Sequence, residues 1–476
     1  MGAGAGGKGI SETRTIDRIP ENERHGLPRD QFTLWFAANL QITAVVDGAL
    51  AVVFGAEALT AIIGLAVGNL FGGIVMALHS AQGPRLGLPQ MISSRAQFGV
   101  KGATLPLLLV ILMYLGFSAT GTVLSGQAIN LLLGVENPAI GMIVFGAATA
   151  IIAIFGYRVI HLIGRVATVI SILGFGYLAW QLFRQHDVSS AFGQQPATMA
   201  SFLFSVALSA GWQLTFAPYV ADYSRYLPSG TSPVRTFFCT FLGSAMAAQI
   251  AMSFGVLVAA LGAKFLSNQV GFLGALAGHG APLVYLVIAS GKLTVNCLNA
   301  YGGFMALLTT VTAFNRQSRV SPLARALCIL GFVGLSLVIA LLASANFLSI
   351  FKNFMLLLLA VFTPWSAVNL VDYYLISKEK VDVPALYDPA GRYGAYNRTA
   401  LGCYLFGILI QIPFLNQPLY EGPIASMLGG ADISWIVSLV VTGLLYYLIK
   451  RNSPAVPERM ILDGVNREGA DGLAQS

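Results

Sequence analysis

The chain has 476 residues, 56% of them hydrophobic and only 10% charged, where soluble domains carry about 25% charged residues. A water-soluble globule is excluded, and the bilayer becomes the solvent against which the sequence is read. The four cysteines (Cys239, Cys297, Cys328 and Cys403) lie far apart in apolar stretches and form no CxxC pair, which argues against a disulfide scaffold or a paired-cysteine metal site. The net charge is +7, yet the basic residues are scattered singly between apolar runs, without the basic stripe and interleaved aromatics of a nucleic-acid binder.

Residues 1–31 are polar, with Glu12, Asp17, Glu21, Glu23 and Asp30 ahead of any apolar run, so they read as a cytoplasmic segment rather than a cleavable signal peptide. The opening Gly2 to Lys8 has the letters of a dinucleotide fingerprint. No strand precedes it, however, and Gly9 stands where a phosphate loop needs Ser or Thr, so a flexible glycine-rich tail is expected. Apolar stretches near 20 residues then follow, long enough to cross a hydrocarbon core of about 30 Å as helices. Twelve spans are predicted, at roughly 33–55, 58–80, 105–134, 138–157, 159–183, 199–222, 235–262, 282–312, 324–344, 347–376, 398–416 and 433–450. Breaks such as Gly83-Pro84-Arg85 and Asn137-Pro138 punctuate helices, and ten-residue alternating barrel strands are not seen. The transmembrane domain is therefore placed at 32–450, and 451–476 reads as a solvated cytoplasmic tail. With the amino terminus inside, 23 of the 27 Lys and Arg fall in cytoplasmic segments and only Arg184 and Lys264 in outer ones. Cytoplasmic loops retain such residues, so an even number of spans with both termini cytoplasmic is expected.

No zinc-protease, nucleophile-elbow or kinase motif occurs, and the sequence does not suggest an enzyme or a cofactor. The five histidines (His25, His79, His161, His186 and His279) fall at loops or span ends, where a solvated imidazole is expected. Charge within the membrane is confined mainly to Asp47 in span 1 and Lys292 in span 8. They lie about 21 Å from the cytoplasmic edge and roughly 15 Å from the outer edge, respectively, at 1.5 Å per residue. A charge at the centre costs about 2.5–3.5 kcal/mol on insertion scales, so each needs a partner, and each is the other's obvious one. Lys352, near the start of span 10, can snorkel.

Lys292, Asn296, Asn299 and Gly303 recur at spacings that put them on one helical face, with Ser290 and Thr294 nearby. Helix packing could use such a stripe, but three costly side chains on one face favour a lining that offers amide groups to a planar polar ligand. Span 1 contains Asn39-Leu-Gln41-Ile-Thr43 before Asp47-Gly48, and span 6 contains Ser209-Ala-Gly211-Trp212-Gln213 before Pro218. Both resemble broken helices, and breaks five spans apart point to an inverted-repeat transporter with its site at mid-membrane. Tyr114 and Phe117 flank Gly116, while Trp212 and Phe216 stand one turn apart; these could supply flat apolar walls.

Several segments resemble the nucleobase–cation symporter family, its purine–cytosine permease branch above all. They are Arg18-Ile-Pro20 with Glu23-Arg24, Gly83 through Met91 with Ser94-Arg95 and Phe98-Gly99, and Ala217 through Asp222 to Pro228. Further matches are Asn296-Cys-Leu-Asn299-Ala-Tyr301, Pro364-Trp365 with Asn369 and Asp372-Tyr-Tyr, and Tyr387 through Tyr393 with Asn397. The resemblance runs from residue 18 to about 414. It implies an all-α membrane protein of the amino acid–polyamine–organocation type, with spans 1–5 and 6–10 as two inverted five-helix repeats and spans 11 and 12 additional. Family members sandwich a planar heterocycle between aromatic rings and read its edge with side-chain amides, which suits stacking and hydrogen bonding. Carried onto this chain, the span 3 ring is Phe117, the span 6 ring is Trp212 or Phe216, and the amides are Asn296 and Asn299, with Gln213 and Asn39 as weaker additions. Sodium-coupled relatives hold a cation between the span 1 break and span 8, where this chain has Asp47 and Lys292. A lysine ammonium in that place suggests H+ rather than Na+ coupling, with the pair either a proton relay or a permanent structural ion pair.

The expected function is therefore plasma-membrane import of a nucleobase or similar small heterocycle by cation symport. The rivals are the same fold carrying another solute, such as an amino acid, a vitamin, hydantoin or allantoin, and a membrane sensor or enzyme that does not transport.

Overall fold

The computed structural model describes residues 16–155, 157–262, 265, 268–315, 321–417 and 420–454, with backbone only for 155 and 157–168. The glycine-rich head, the tail beyond residue 454, Lys264 and the His161 side chain lie outside the described residues. The helices are α1 (Pro28–Asn39), α2 (Ile42–Val53), α3 (Ala58–Leu86), α4 (Gln90–Ser93), α5 (Arg95–Phe98), α6 (Thr104–Leu133), α7 (Pro138–Phe155), α8 (Tyr157–Gln185) and α9 (Met199–Leu214). They continue as α10 (Ala221–Ser224), α11 (Pro233–Leu261), α12 (Gln269–Ala277), α13 (Ala281–Phe314), α14 (Pro322–Ala343), α15 (Phe347–Leu370), α16 (Arg398–Leu409), α17 (Pro423–Met427) and α18 (Ser434–Lys450). A two-stranded ribbon pairs Asn416 with Glu421 and Gln417 with Tyr420.

Among the described residues, five stretches are long and apolar enough to cross a membrane: Ala58–Leu86, Thr104–Leu133, Pro233–Leu261, Gln269–Phe314 and Pro322–Ile376. The bent pair α1 and α2 makes a sixth, with 59° between its halves. The predicted span boundaries coincide closely with helix ends, but several helices, including Met199–Leu214 and Ser434–Lys450, are individually short.

The helices sort into two packed groups. One comprises α1, α2, α3, α9 and α11; the other comprises α6, α7, α8, α12, α13 and α14, and α15 touches both. Close approach within the first group follows from Gly64, Gly68 and Gly72 on α3. A Cβ at these positions would lie 2.7 Å from Phe202 O, 2.1 Å from Ser209 Oγ and 2.9 Å from Ala210 Cα. Small residues four apart let two backbones meet in this way.

Prolines within helices are compensated from outside. Pro84 sits in the last turn of α3 and cannot donate to Ser80, whose carbonyl instead accepts from Ser224 Oγ at 2.7 Å. Pro364 likewise frees the Ala360 carbonyl in α15, which accepts from Gln411 Nε2 at 2.8 Å. The predicted break at Gly83-Pro84-Arg85 thus falls a few residues early, because the freed carbonyl has a partner. The helix ends instead at Gly87, in the left-handed region with φ +65°.

Candidate functional site

Both expected interruptions are present. Between α1 and α2, Gln41 is extended (φ −147°, ψ 161°); Ala38 O, left over by the break, accepts from Gln41 Nε2, and Asn39 Nδ2 donates to Trp35 O, each at 2.7 Å. After α9, residues 215–220 form successive turns around Pro218 before α10 resumes the helix.

From the opposite helix group, Lys292 on α13 reaches the first of these breaks. It is only 2% exposed, and its Nζ donates to Gln41 Oε1 and Thr43 Oγ1, both at 2.8 Å. Gly121 on α6 makes the room, since a Cβ there would fall 2.2 Å from Asn296 Oδ1 and 2.8 Å from Lys292 Cε. The expected pairing of Lys292 with Asp47 is not formed. The ammonium is held by side-chain oxygens at the break, whereas Asp47 lies one helical turn beyond Thr43, fully buried, with neither carboxyl oxygen hydrogen-bonded.

One turn along α13, Asn296 Nδ2 donates to Ser118 O at 2.9 Å, with Thr122 Oγ1 at 3.3 Å. A backbone carbonyl only accepts, so this contact fixes the amide's orientation. Asn296 Oδ1 is then a buried acceptor without a partner, and Asn299 Nδ2 a buried donor without one. Each such group costs about 1–3 kcal/mol if left unfilled. Side by side on one helix face, they offer the complementary edge that an amide-bearing heterocycle needs.

The aromatic candidates meet at the same seam. Phe117 and Trp212 are edge to face at 5.9 Å, Trp212 and Phe216 at 5.7 Å, and Phe117 also meets Phe354 at 5.4 Å. A ring stacked between two others needs them roughly 7 Å apart and parallel, so the sandwich implied for Phe117 and a span 6 ring is not formed in this conformation. Towards the end of the molecule where the N-terminal segment lies, Tyr114 and Tyr219 continue the seam at 5.3 Å, and Trp35 packs on Phe216.

Asn39 and Gln213 are spoken for. Asn39 Oδ1 accepts from Trp212 Nε1 at 2.6 Å and its Nδ2 also donates to Ser244 Oγ at 2.9 Å. Ser244 Oγ donates to Gln213 Oε1, Gln213 Nε2 to Asn69 Oδ1, and Asn69 Nδ2 to Gln249 Oε1. Both amides therefore brace helices in this conformation.

A family profile for permeases of cytosine/purines, uracil, thiamine and allantoin matches residues 18–438. The chain belongs to this permease family. The permease is 37% identical over 440 residues to YxlA of Bacillus subtilis (strain 168), provisionally named a purine-cytosine permease, covering 92% of this chain and 96% of that one. It is 25% identical over 458 residues to the purine-cytosine permease fcyB of Emericella nidulans, covering 92% and 88%. Its fold is that of Mhp1, a nucleobase-cation-symport-1 family transporter solved in a closed conformation with bromovinylhydantoin bound. The TM-score is 0.70 at 19% identity, over 92% of this chain and 94% of that one.

In this permease one side chain departs from the sequence reading. His79 is fully buried rather than solvated, stacked on Trp365 at 4.7 Å and 14°, with Nε2 on Ser366 Oγ and Nδ1 on the Gln90 amide. Lys352 is 9% exposed, and its Nζ lies 3.9 Å from the centre of the Phe54 ring at the end of α2. Sequence reasoning also passed over Gly121, Asn69 and Ser244. Gly121 was visible within the small-residue run Ser118-Ala-Thr-Gly-Thr122; Asn69 and Ser244 have no local signal, because their partners lie on other helices.

Proposed function

We propose that this permease imports a nucleobase or related small heterocycle across the plasma membrane by H+ symport. In this reading it spans the membrane twelve times with both termini cytoplasmic, spans 1–5 and 6–10 being inverted repeats, 32–450 the transport domain, and 1–31 and 451–476 cytoplasmic segments. The observation that carries it is the unfilled acceptor and donor of Asn296 and Asn299, set beside the Phe117, Trp212 and Phe216 rings where two helix groups meet at a broken helix. A planar ligand with adjacent N–H and C=O groups fills both and offers the rings a flat face. Entry requires Phe117 and Trp212 to part, and rocking of one group against the other does this.

Coupling to H+ is supported by Lys292, a resident cation on the break, and by Asp47, an acid with no resident partner that is available to carry a proton. The test is uptake into vesicles containing only this protein. Labelled cytosine should accumulate under an inward proton gradient without Na+, and a panel of purines, uracil, hydantoin and allantoin should compete in part. Accumulation that requires Na+ and ignores pH would overturn the coupling. Failure of every compound in the panel would overturn the substrate class.

A further inference from the structure

Residues 16–25 form a strap along one end of the molecule, on the cytoplasmic side in the reading proposed above, on which this inference rests. The strap is fixed firmly to the first helix group. Ile19 N donates to Gly87 O at 2.9 Å, Arg18 Nε to Leu86 O at 3.3 Å, and His25 N to Tyr226 O at 2.6 Å. Arg24 is buried, donating to Ile19 O and Pro84 O, and its Nη2 fills the place a Cβ on Gly87 would take. Ser229 N donates to Glu21 Oε1 and Arg225 Nη1 to Asp17 O.

The far end of the strap crosses to the other group. Tyr387 OH donates to Ile16 O at 2.9 Å, and the loop carrying Tyr387 is clamped onto α13 by Arg95. The guanidinium of Arg95 donates to Leu386 O at 3.2 Å, Thr309 O at 2.9 Å and Thr312 Oγ1 at 3.3 Å. Beneath the crossing lies a cavity of about 470 Å³ lined by Ile16, Asp17, Arg95, Thr312 and Tyr387 among others. Among the described residues the strap is thus held by many bonds on one side and, on the other, by the Tyr387 hydroxyl and the buried Ile16 side chain. Other polar crossings at this end include Tyr374 OH, which donates to Leu78 O at 2.7 Å, and Arg85 with Glu379, a half-exposed ion pair of the kind that contributes little.

We infer that the strap is a latch that holds the cytoplasmic side of the permease closed, and that the Tyr387–Ile16 hydrogen bond is its catch. Release of substrate to the cytoplasm requires the two helix groups to separate at this end, and that bond is broken when they do. Burial keeps the Tyr387 phenol well above its ordinary range, so it remains a donor throughout physiological pH.

The experiment uses the full-length protein with its four native cysteines replaced by alanine and Thr312→Cys added as a reporter. The reporter is labelled by a membrane-impermeant maleimide in inside-out vesicles. Tyr387→Phe keeps the ring and removes the catch, and should raise the labelling rate roughly two- to tenfold, the worth of one hydrogen bond. Separately, Ile16→Cys with Tyr387→Cys, joined by a short bis-maleimide, should stop cytosine uptake that the unjoined double variant supports. An unchanged labelling rate in Tyr387→Phe, or undiminished uptake by the joined protein, would overturn the latch. Labelling needs no substrate, so a wrong substrate class shows as lack of uptake in every variant while the labelling result still decides the latch.

Discussion

Replacing Gly121 with alanine adds one methyl group where α6 meets Lys292 and Asn296. The new Cβ would stand 2.2 Å from Asn296 Oδ1, 0.8 Å inside the 3.0 Å limit that real Cβ atoms respect, and 2.8 Å from Lys292 Cε. Asn296 cannot simply swing aside, because its amide is held by Ser118 O, and Lys292 is held by Gln41 and Thr43. Overpacking of this kind costs about 1–3 kcal/mol. If the displacement falls on the ligand-binding edge, the KM for uptake should rise roughly 5- to 150-fold, with a smaller fall in thermal midpoint. Gly176→Ala, where nothing lies within 4 Å of the added Cβ, is the matched control. The measurement is concentration-dependent uptake in vesicles alongside a melting curve in detergent. A Gly121→Ala protein with unchanged KM would show that Asn296 and Lys292 are not part of the binding edge.

Asn299→Leu should separate stability from binding: removing an unfilled buried donor raises the thermal midpoint or leaves it unchanged, while KM worsens by about two- to tenfold for one lost hydrogen bond, and a lowered midpoint with intact KM would contradict this. Asp47→Asn should keep substrate exchange across vesicles but lose accumulation driven by a proton gradient, whereas Lys292→Met strands Gln41 and Thr43 and should abolish both; pH-driven accumulation by Asp47→Asn would remove the acid from the mechanism. Trp212→Phe leaves the Asn39 acceptor buried and unpaired and should cost about 1–3 kcal/mol of stability, read by thermal melting. Ser224→Ala should lower the melting midpoint by an amount matching about 1 kcal/mol, without altering KM, because it only uncovers the carbonyl that Pro84 frees.

Helix positions were legible because apolar length and loop charge are local properties. Predicted 105–134 became Thr104–Leu133, and predicted 282–312 became Ala281–Phe314. The breaks in spans 1 and 6 were legible from their Asn, Gln, Gly and Pro content, and the polar face of span 8 from its spacing. Pairing was not legible. Depth alone made Lys292 and Asp47 look like partners, but depth says nothing about rotation around a helix or about which oxygen a flexible ammonium reaches first. Asn39 and Gln213 looked like ligand amides for the same reason, since the sequence does not reveal that Ser244 and Asn69 arrive from other helices to occupy them. His79 was misplaced because a residue near a span end need not face water when a further helix, here α15 with Trp365, covers it.

The hydrogen-bonded series from Trp212 through Asn39, Ser244, Gln213 and Asn69 to Gln249 joins α9, α1, α11 and α3 immediately beside both interruptions. An interruption looks like a joint, but one braced in this manner is a rigid elbow. The two elbows are therefore one casting and swing together. Bending during the cycle then falls outside this braced set.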